Sequence, residues 1–205
     1  ILREARGQTF EALHYEAPRA LFNACAAKGI KRVIHISALG CDPASTRPYE
    51  ATKLRLERHL RTLDLDWVIV RPSLVYGEDS PSSRLFRFLA NLPVVPVIGD
   101  GGQLLQPIGV AELARSVAEM VRAGTPRRSV VELGGPRALA YRDFLRSLRT
   151  ARREPAYLRI PVPLARIGAR LGLGPLSRDT FNMLMRANTL EKGENHERRE
   201  AHLSV

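Results

Sequence analysis

Two short apolar runs in the first third of the chain are typical of buried strands. Residues 32–37 (RVIHIS) and 66–71 (DWVIVR) are nearly continuous and rich in β-branched side chains, as in strands covered on both faces. The segment between them, residues 49–63, carries leucines at close to helical spacing. Because strand, helix and strand at this spacing form a βαβ unit, the pattern predicts an α/β protein with parallel neighbouring strands.

The remaining pattern extends this prediction along the chain. Further helices are predicted over residues 16–28, 82–92 and 110–123, and a further strand over residues 129–133. Two apolar runs, residues 94–98 and 104–108, flank a Gly-Asp-Gly-Gly turn and predict a small hairpin. From Tyr141 onward the pattern is helical and interrupted by prolines, whereas residues 190–205 lack periodicity and predict a flexible tail.

Composition and charge narrow the class of protein. A chain of 205 residues with 44% hydrophobic side chains is long enough for one domain with a sizeable core. The formal net charge of +11 comes from arginines spread along the whole sequence, with few aromatic residues, so we predict no nucleic-acid binding. Cys25 and Cys41 lack the paired spacing of a metal site, and we expect no metal and a reducing, cytoplasmic setting. No apolar run approaches the length of a membrane span.

One pair of residues carries candidate chemistry. Tyr49 and Lys53 form a Tyr-x-x-x-Lys pair at the start of a predicted helix, so their side chains lie on one face, one turn apart. A nearby ammonium group favours the phenolate, which lets a tyrosine exchange a proton with an alcohol or a carbonyl group. Ser37 ends the preceding strand, and its hydroxyl is a candidate hydrogen-bond partner of the same substrate oxygen. All three fall beyond the carboxyl ends of strands, where doubly wound sheets bind ligands. The structural alternative is a half-buried Tyr49 and a solvated Lys53.

Several segments together resemble the extended and atypical short-chain dehydrogenase/reductases. They are residues 31–40 (KRVIHISALG), the Tyr49–Lys53 pair, residues 67–77 (WVIVRPSLVYG), 99–101 (GDG), 106–114 (QPIGVAELA), 131–136 (VELGGP) and 141–144 (YRDF). The closest likeness is to the group that includes the NAD(P)H-binding accessory subunit of respiratory complex I and its bacterial relatives. The resemblance covers residues 15–150 well and 160–188 more loosely. It implies the C-terminal part of a doubly wound parallel Rossmann sheet, with a small substrate-side region and C-terminal helices.

The resemblance also implies roles for individual residues. Tyr49 would be the proton donor or acceptor, and Lys53 would bind the nicotinamide ribose and lower the pKa of the tyrosine. Ser37 would orient the substrate. Cofactor contacts would come from Tyr49 and Lys53 and from the backbone around Pro72, Ser73 and Val75, although a proline there also fits a plain strand stop. The implied cofactor is NAD or NADP, and the implied partners are this dinucleotide and a small-molecule substrate.

The sequence departs from the family where the phosphates of the dinucleotide would bind. A dinucleotide fold begins with a strand, a glycine-rich turn and a helix N-terminus that receives the pyrophosphate. The glycine clusters at residues 99–102 and 168–174 neither follow a buried strand nor open a helix in that way. We therefore expect the substrate-side remainder of a longer protein, with strand 32–37 left unpaired at one edge. The expected parts are a Rossmann remainder over residues 1–137, with a substrate-side hairpin and helix at about 81–108, a helical segment over 138–188 and a tail over 189–205.

Three functional hypotheses remain open at this point. The first is a fragment of an NAD(P)-dependent oxidoreductase or epimerase-type enzyme, inactive alone, in which Tyr49, Lys53 and Ser37 couple proton transfer to hydride exchange with nicotinamide. The alternative is a non-catalytic NAD(P)H-binding subunit that serves an assembly or senses its redox state. The third is a basic surface module in which helix 82–92 touches an anionic membrane, peripheral to the inner membrane. A homo-oligomer is compatible with each of them.

Overall fold

The structure is a computed structural model of the whole chain. It describes residues 4–5, 7–41, 43–44, 47–77, 80–124, 126–171, 181, 184–185 and 188–190. The tail expected over residues 189–205 lies outside this part of the chain, apart from residues 189–190. Helices and strands alternate along the described residues, and the strands of the main sheet are parallel, which confirms the predicted α/β class.

The elements follow one another in a regular order. They are a π-helical segment Glu11–Glu16, α1 (Ala17–Ala27), β1 (Arg32–Ile36), α2 (Pro48–Thr62), β2 (Asp66–Pro72), β3 (Val75–Tyr76), α3 (Pro81–Asn91), β4 (Val94–Ile98), β5 (Leu104–Leu105), β6 (Ile108–Gly109), α4 (Val110–Ala123), β7 (Ser129–Leu133), β8 (Leu139–Ala140), α5 (Tyr141–Ser147), β9 (Ala156–Ile160) and α6 (Val162–Leu171). Their described residues fall into two compact units. The first takes residues up to Ser73 and residues 112–133, and the second takes residues 74–111 and 134–189. This division differs from the contiguous one expected at residue 137.

The first unit is built on a three-stranded parallel sheet in the order β1-β2-β7. β2 lies in the middle, and three of its consecutive side chains, Val68, Ile69 and Val70, are fully buried. One face of the sheet packs against α1 and α2 in a cluster formed by Phe22, Leu56, Leu60, Leu65, Trp67 and Ile69. Within the described residues β1 pairs only with β2, and Ile36 is 46% exposed at its end.

The second unit holds short strands around a separate core. β4 pairs in parallel with β9, β3 pairs in parallel with β6, and β5 pairs antiparallel with β8. Its buried apolar side chains include Ala90, Val95, Val97, Ile98, Leu105, Tyr141, Phe144, Leu145, Ala169, Phe181 and Leu184. The core is therefore assembled from α3, α5, α6 and the strands between them.

The predicted hairpin of residues 94–98 and 104–108 is wrong. Val94–Ile98 pairs with Ala156–Ile160, whereas Leu104–Leu105 pairs with Leu139–Ala140. The turn chemistry between them is real, because the Gly102 amide donates to the Asp100 carboxylate at 2.9 Å. This hydrogen bond closes a local turn, but the strands on either side of the turn do not pair with each other. Each of them pairs with a segment far along the chain.

The prediction of helix from Tyr141 onward is also wrong in one place. Ala156–Ile160 forms β9, and Pro155 and Pro161 border it. Prolines that suggest interruptions between helices serve equally well as the ends of a short strand. The strand exists because β4 offers it a parallel partner, which the local pattern does not reveal.

Candidate functional site

The candidate site lies at the carboxyl edge of the first unit's sheet. Because β1, β2 and β7 are parallel, their carboxyl ends share one edge. Ser37 follows β1 directly, and its amide donates to the Val70 carbonyl at 2.7 Å. Ser73 follows β2, and its amide donates to the Leu133 carbonyl at 2.8 Å. Backbone hydrogen bonds therefore fix the segments that leave β1 and β2 at this edge.

Tyr49 and Lys53 meet at the start of α2. The helix begins at Pro48, a favoured first residue because its missing N–H has no helical partner there. Tyr49 is 6% exposed, and the Lys53 Nζ lies 5.7 Å from the centre of its ring. The ammonium group therefore sits over the aromatic face, a favourable cation–π arrangement. Neither side chain matches the structural alternative, because Tyr49 is buried and Lys53 is partly buried.

Two aromatic side chains from the N-terminal segment enclose Tyr49. The ring of Phe10 lies edge-on at 5.7 Å from that of Tyr49, and the ring of His14 lies edge-on at 5.3 Å. Both Phe10 and His14 are buried. His14 belongs to the π-helical segment Glu11–Glu16, a rare geometry that often marks functional sites. The sequence pattern, which starts the first helix at residue 16, gives no signal for this segment.

Burial and neighbouring charges set the protonation of the lysine. Burial lowers the pKa of Lys53, and the charges of Cys41 and Glu57 oppose this effect. Burial, followed by the charge of Glu50, raises the pKa of the Cys41 thiol to about 11, so the thiol is neutral at neutral pH. Glu57 is therefore the anion that supports the ammonium form of Lys53 under those conditions.

Glu57 is held by an arginine from the sheet. The Arg71 guanidinium binds both carboxylate oxygens of Glu57, with Nη2–Oε2 at 2.7 Å and Nε–Oε1 at 3.1 Å. Glu132 on the neighbouring strand lies 3.5 Å from the same guanidinium. Burial alone would raise the pKa of Glu57, but the hydrogen bonds from Arg71 and the charges of Arg71 and Arg61 lower it overall. Tyr49, Lys53 and Glu57 thus follow one another at single-turn spacing along α2.

His35 and Ser37 lie under this stripe on the sheet. Alternate strand residues share a face, so both point towards α2, as does Val33 in the apolar cluster. Burial, followed by the charge of Lys53, lowers the pKa of His35 to about 4, so its ring is neutral at neutral pH. The Ser37 hydroxyl lies beside Glu57. Ser37 is thus placed against the carboxylate that supports Lys53.

The three residues expected to line the nicotinamide pocket do not share a unit. Pro72 and Ser73 end β2 in the first unit, where both are buried. Val75 belongs to β3 of the second unit and pairs with Ile108. Arg71, which precedes Pro72 on β2, forms the ion pair with Glu57.

The donor set at this edge fits the nicotinamide end of a dinucleotide. Tyr49 and Lys53 offer a hydroxyl and a partly buried cation, which suit ribose hydroxyls and a reacting oxygen. In the described part of the chain, the segment joining β1 to α2 carries a single glycine, Gly40, with φ +75°. It has no G-x-G-x-x-G pattern for a pyrophosphate. The donors described at this edge therefore suit a ribose, and the described β1–α2 segment lacks the glycine pattern that binds phosphates.

Comparison of the sequence with known protein families finds one match. Residues 5–91, which include this edge of the sheet, match the family described as NAD(P)H-binding. Over this range the chain is similar to the NAD(P)H-binding proteins of that family. NAD or NADP is the cofactor of this family, and the resemblance drawn from residues 31–40, 49–53 and 67–77 is confirmed.

Two curated relatives illustrate its range. The chain is 29% identical over 167 residues to the mitochondrial "NADH dehydrogenase [ubiquinone] 1 alpha subcomplex subunit 9" of Arabidopsis thaliana, covering 80% of this chain and 42% of that protein. It is 30% identical over 159 residues to a "Ceramide reductase" of Caulobacter vibrioides, covering 75% of this chain and 49% of that protein. The chain therefore spans less than half the length of these relatives.

Solved structures share the fold. The UDP-glucuronic acid 4-epimerase of Bacillus cereus, in complex with NAD, superposes with a TM-score of 0.60 at 17% identity, covering 86% of this chain and 69% of that one. The UDP-glucose 4-epimerase of Thermus thermophilus, also with NAD, gives a TM-score of 0.53 at 19% identity, covering 80% and 67%. At these identities the likeness establishes a Rossmann-like α/β fold.

The hydropathy of the helices adds one observation about membranes. Among the residues that the structure describes, no helix is both long enough and apolar enough to cross a bilayer.

Proposed function

We propose that this chain carries the proton-transfer residues of an NAD(P)-dependent oxidoreductase or epimerase-type enzyme. The observation that carries the proposal is the placement of the Lys53 ammonium 5.7 Å from the ring centre of a buried Tyr49, at the carboxyl edge of a parallel sheet. The dinucleotide, when bound, supplies or takes up the hydride. Tyr49 gives its phenolic proton to the substrate oxygen during reduction and takes it back during oxidation.

Lys53 makes this exchange feasible near neutral pH. A cation next to a phenol stabilises the phenolate, which would otherwise be disfavoured by burial. The cation is itself disfavoured by burial, and Glu57 compensates from the next turn of α2. Phe10 and His14 close off the Tyr49 ring from bulk water, which strengthens the electrostatic coupling between Tyr49 and Lys53. Lys53 also binds the nicotinamide ribose in this proposal.

Ser37, Pro72 and Ser73 complete the proposed site. Ser37 orients the substrate oxygen, with its hydroxyl near Glu57. The backbone at Pro72 and Ser73 lines the nicotinamide pocket at the end of β2. The substrate panel should include long-chain lipid carbonyls, because one relative is named a ceramide reductase. Nucleotide sugars belong in the panel as a second class.

The decisive experiment compares Tyr49→Phe with Lys53→Met in two assays, both on the chain extended upstream by a glycine-rich phosphate-binding segment. NADH or NADPH binding is followed through the fluorescence of Trp67, the single tryptophan, and turnover through nicotinamide absorbance with the carbonyl panel. We expect Tyr49→Phe to keep cofactor binding and to lose about 100-fold or more in turnover, the usual contribution of a general acid. Lys53→Met should weaken both. Full turnover in Tyr49→Phe would remove the proposed role of the phenol.

A second candidate function is a non-catalytic NAD(P)H-binding subunit of a larger assembly. Several relatives are named subunits of mitochondrial NADH dehydrogenase, which favours this alternative. In that case the same assays would show dinucleotide binding with no turnover on any carbonyl, and Tyr49→Phe would change neither. Stable co-purification with partner subunits would then be the positive sign.

A further inference from the structure

Helix α6 of the second unit is apolar on two opposite faces. Its inner face packs against the core of that unit through Val162, Ala165 and Ala169. Its outer face carries Leu164, Ile167 and Leu171, which are 60%, 52% and 66% exposed. The helices of soluble domains usually turn polar residues outward. Three large aliphatic side chains aligned on the outer face of one helix therefore indicate a binding surface.

The charged residues of α6 itself and of the strand before it have one sign. Arg166 and Arg170 are exposed on α6, and the helix contains no acidic residue. The preceding strand β9 adds an exposed Arg159 and a Leu158 that is 57% exposed, again without an acidic residue. The sequence from Ala156 to Leu171 thus combines exposed aliphatic side chains with three arginines.

We propose that the outer face of α6 binds the surface of an anionic lipid membrane. Leu164, Ile167 and Leu171 enter the boundary between head groups and acyl chains, while Arg166 and Arg170 contact lipid phosphates. This is the composition of helices that lie in the plane of the interface. With ten residues, α6 is too short to span a bilayer and long enough to lie on it. The inference does not depend on the proposed reaction.

Charge favours a lipid surface over a second copy of the chain. A symmetric contact through α6 would bring Arg166 and Arg170 of both copies together without an acidic residue on the helix to offset them. The whole chain carries a formal net charge of +11, which adds long-range repulsion between copies. The same charges attract the phosphates of an anionic leaflet.

The test measures co-sedimentation of the chain with vesicles of phosphatidylcholine alone and of phosphatidylcholine mixed with phosphatidylglycerol. We expect binding to the anionic vesicles, weakened by added salt. The triple variant Leu164→Gln, Ile167→Gln and Leu171→Gln should lose about tenfold or more in partitioning, since it removes the apolar contacts. The double variant Arg166→Gln and Arg170→Gln should lose about tenfold at low salt and progressively less at high salt.

Matched controls separate this face from general stickiness. Leu21→Gln with Val121→Gln removes two aliphatic side chains that are 60% and 59% exposed on other helices, and should leave partitioning unchanged. All substituted positions are exposed, so the circular dichroism spectra and thermal midpoints should match those of the unmodified chain. A loss of binding equal to that of the triple variant in this control would contradict the proposal.

Three other outcomes would also overturn it. Absence of binding to anionic vesicles at low salt would remove the membrane altogether. A loss caused by Arg84→Gln with Arg87→Gln, with binding intact in the α6 variants, would transfer the contact to α3. A concentration-dependent dimer that the triple variant abolishes, without vesicle binding, would make a second copy the occupant. Turnover plays no part in these readouts, so the proposed reaction is judged separately.

Discussion

Arg71 is the residue that compensates the buried charge of Glu57 between α2 and the sheet. It is a charged side chain in a strand whose neighbours are fully buried, and it reaches both oxygens of Glu57, which is 2% exposed. A buried charge is tolerated when it is paired, whereas removal of one partner leaves the other uncompensated. Among the ion pairs of the described residues, Glu57 would retain the one with the exposed Arg61 at 3.7 Å. The ion pair therefore holds α2, with Tyr49 and Lys53, against the sheet.

Substitution of Arg71 by methionine should destabilise the chain at neutral pH. Methionine keeps the length and the apolar stem, so the change in the free energy of unfolding mainly reflects the loss of the ion pair with Glu57. We expect the free energy of unfolding to fall by about 3 kcal/mol at pH 7, the lower end for a broken buried pair because Arg71 is partly exposed. Urea unfolding followed by Trp67 fluorescence measures it. Arg61→Met, which removes the more distant exposed partner, is the control and should cost less than about 1 kcal/mol.

The pH dependence of this difference gives a sharper check. The pKa of Glu57 is lowered in the folded chain, so its stabilising contribution is complete above its ordinary value of 4.5 and disappears as the pH falls through the lower folded-state pKa. Once Glu57 is protonated, an unpaired carboxyl no longer penalises the variant. The gap between the unmodified chain and Arg71→Met should therefore shrink as the pH falls below about 4.5. A gap that stays constant from pH 7 to pH 3 would assign the effect to packing.

The sequence predicts only part of this arrangement. The closeness of Tyr49 and Lys53 follows from the helical period alone, because the two residues belong to one helix. The pairing of Glu57 with Arg71 requires α2 and β2 to meet, which no local pattern contains. Two signals were nevertheless present: Glu57 repeats the spacing from Tyr49 to Lys53, and an arginine within an apolar strand needs a buried partner. The roles proposed for Ser37, Pro72, Ser73 and Val75 remain predictions.

At the scale of elements, the local sequence patterns predicted which helices and strands exist better than they predicted which strands pair. The predicted bounds of α4 (Val110–Ala123) and β7 (Ser129–Leu133) are those of the structure, because a long amphipathic stretch and a β-branched run each suit one conformation. β4 was also predicted at its observed bounds, but its partner is β9 and not the run after the glycine turn. Strand partners depend on the path of the whole chain, which explains the wrong hairpin.

The turn after β7 depends on a close approach of two backbones in the second unit. A Cβ built on Gly135 would stand 1.9 Å from the Pro107 carbonyl oxygen, whereas one on Gly134 would stand 2.9 Å from the side chain of Gln106. The side-chain amide of Gln106 also donates to the Gly135 carbonyl at 2.7 Å, so a hydrogen bond joins the two segments. A backbone atom cannot move aside as a side chain can. A Cβ is therefore sterically excluded at Gly135, whereas at Gly134 it would require only a shift of the Gln106 side chain.

Gly135→Ala should consequently be far more damaging than Gly134→Ala. We expect Gly135→Ala to lower the free energy of unfolding by about 3 kcal/mol, the upper range for overpacking, and Gly134→Ala by about 1 kcal/mol because Gln106 can shift. Thermal unfolding followed by far-ultraviolet circular dichroism compares the two variants on the same chain. Equal effects would show that the turn adjusts its backbone and that the close approach is not limiting.

At the scale of the whole molecule, the chain crosses between two units with separate cores after Ser73, after Ala111 and after Leu133. The first core surrounds the single tryptophan, Trp67, together with Leu56 and Leu60, whereas Phe144 and Leu145 belong to the second. The candidate proton-transfer residues lie in the first unit and the proposed membrane face of α6 lies in the second. Catalytic and docking variants should thus act on different cores, and the stability of each core can be measured on its own.

Two leucine truncations test that separation. Leu60 is fully buried in the first core and Leu145 is 1% exposed in the second, so each change to alanine removes a comparable side chain at a cost of about 2–5 kcal/mol. Leu60→Ala should lower the urea midpoint seen by Trp67 fluorescence. Leu145→Ala should leave that midpoint in place and lower the part of the circular dichroism transition that Trp67 does not report. If both variants shift both signals equally, the two cores unfold as one cooperative body, and substitutions on α6 must then be checked for effects at Tyr49 before any loss of activity is assigned to the membrane.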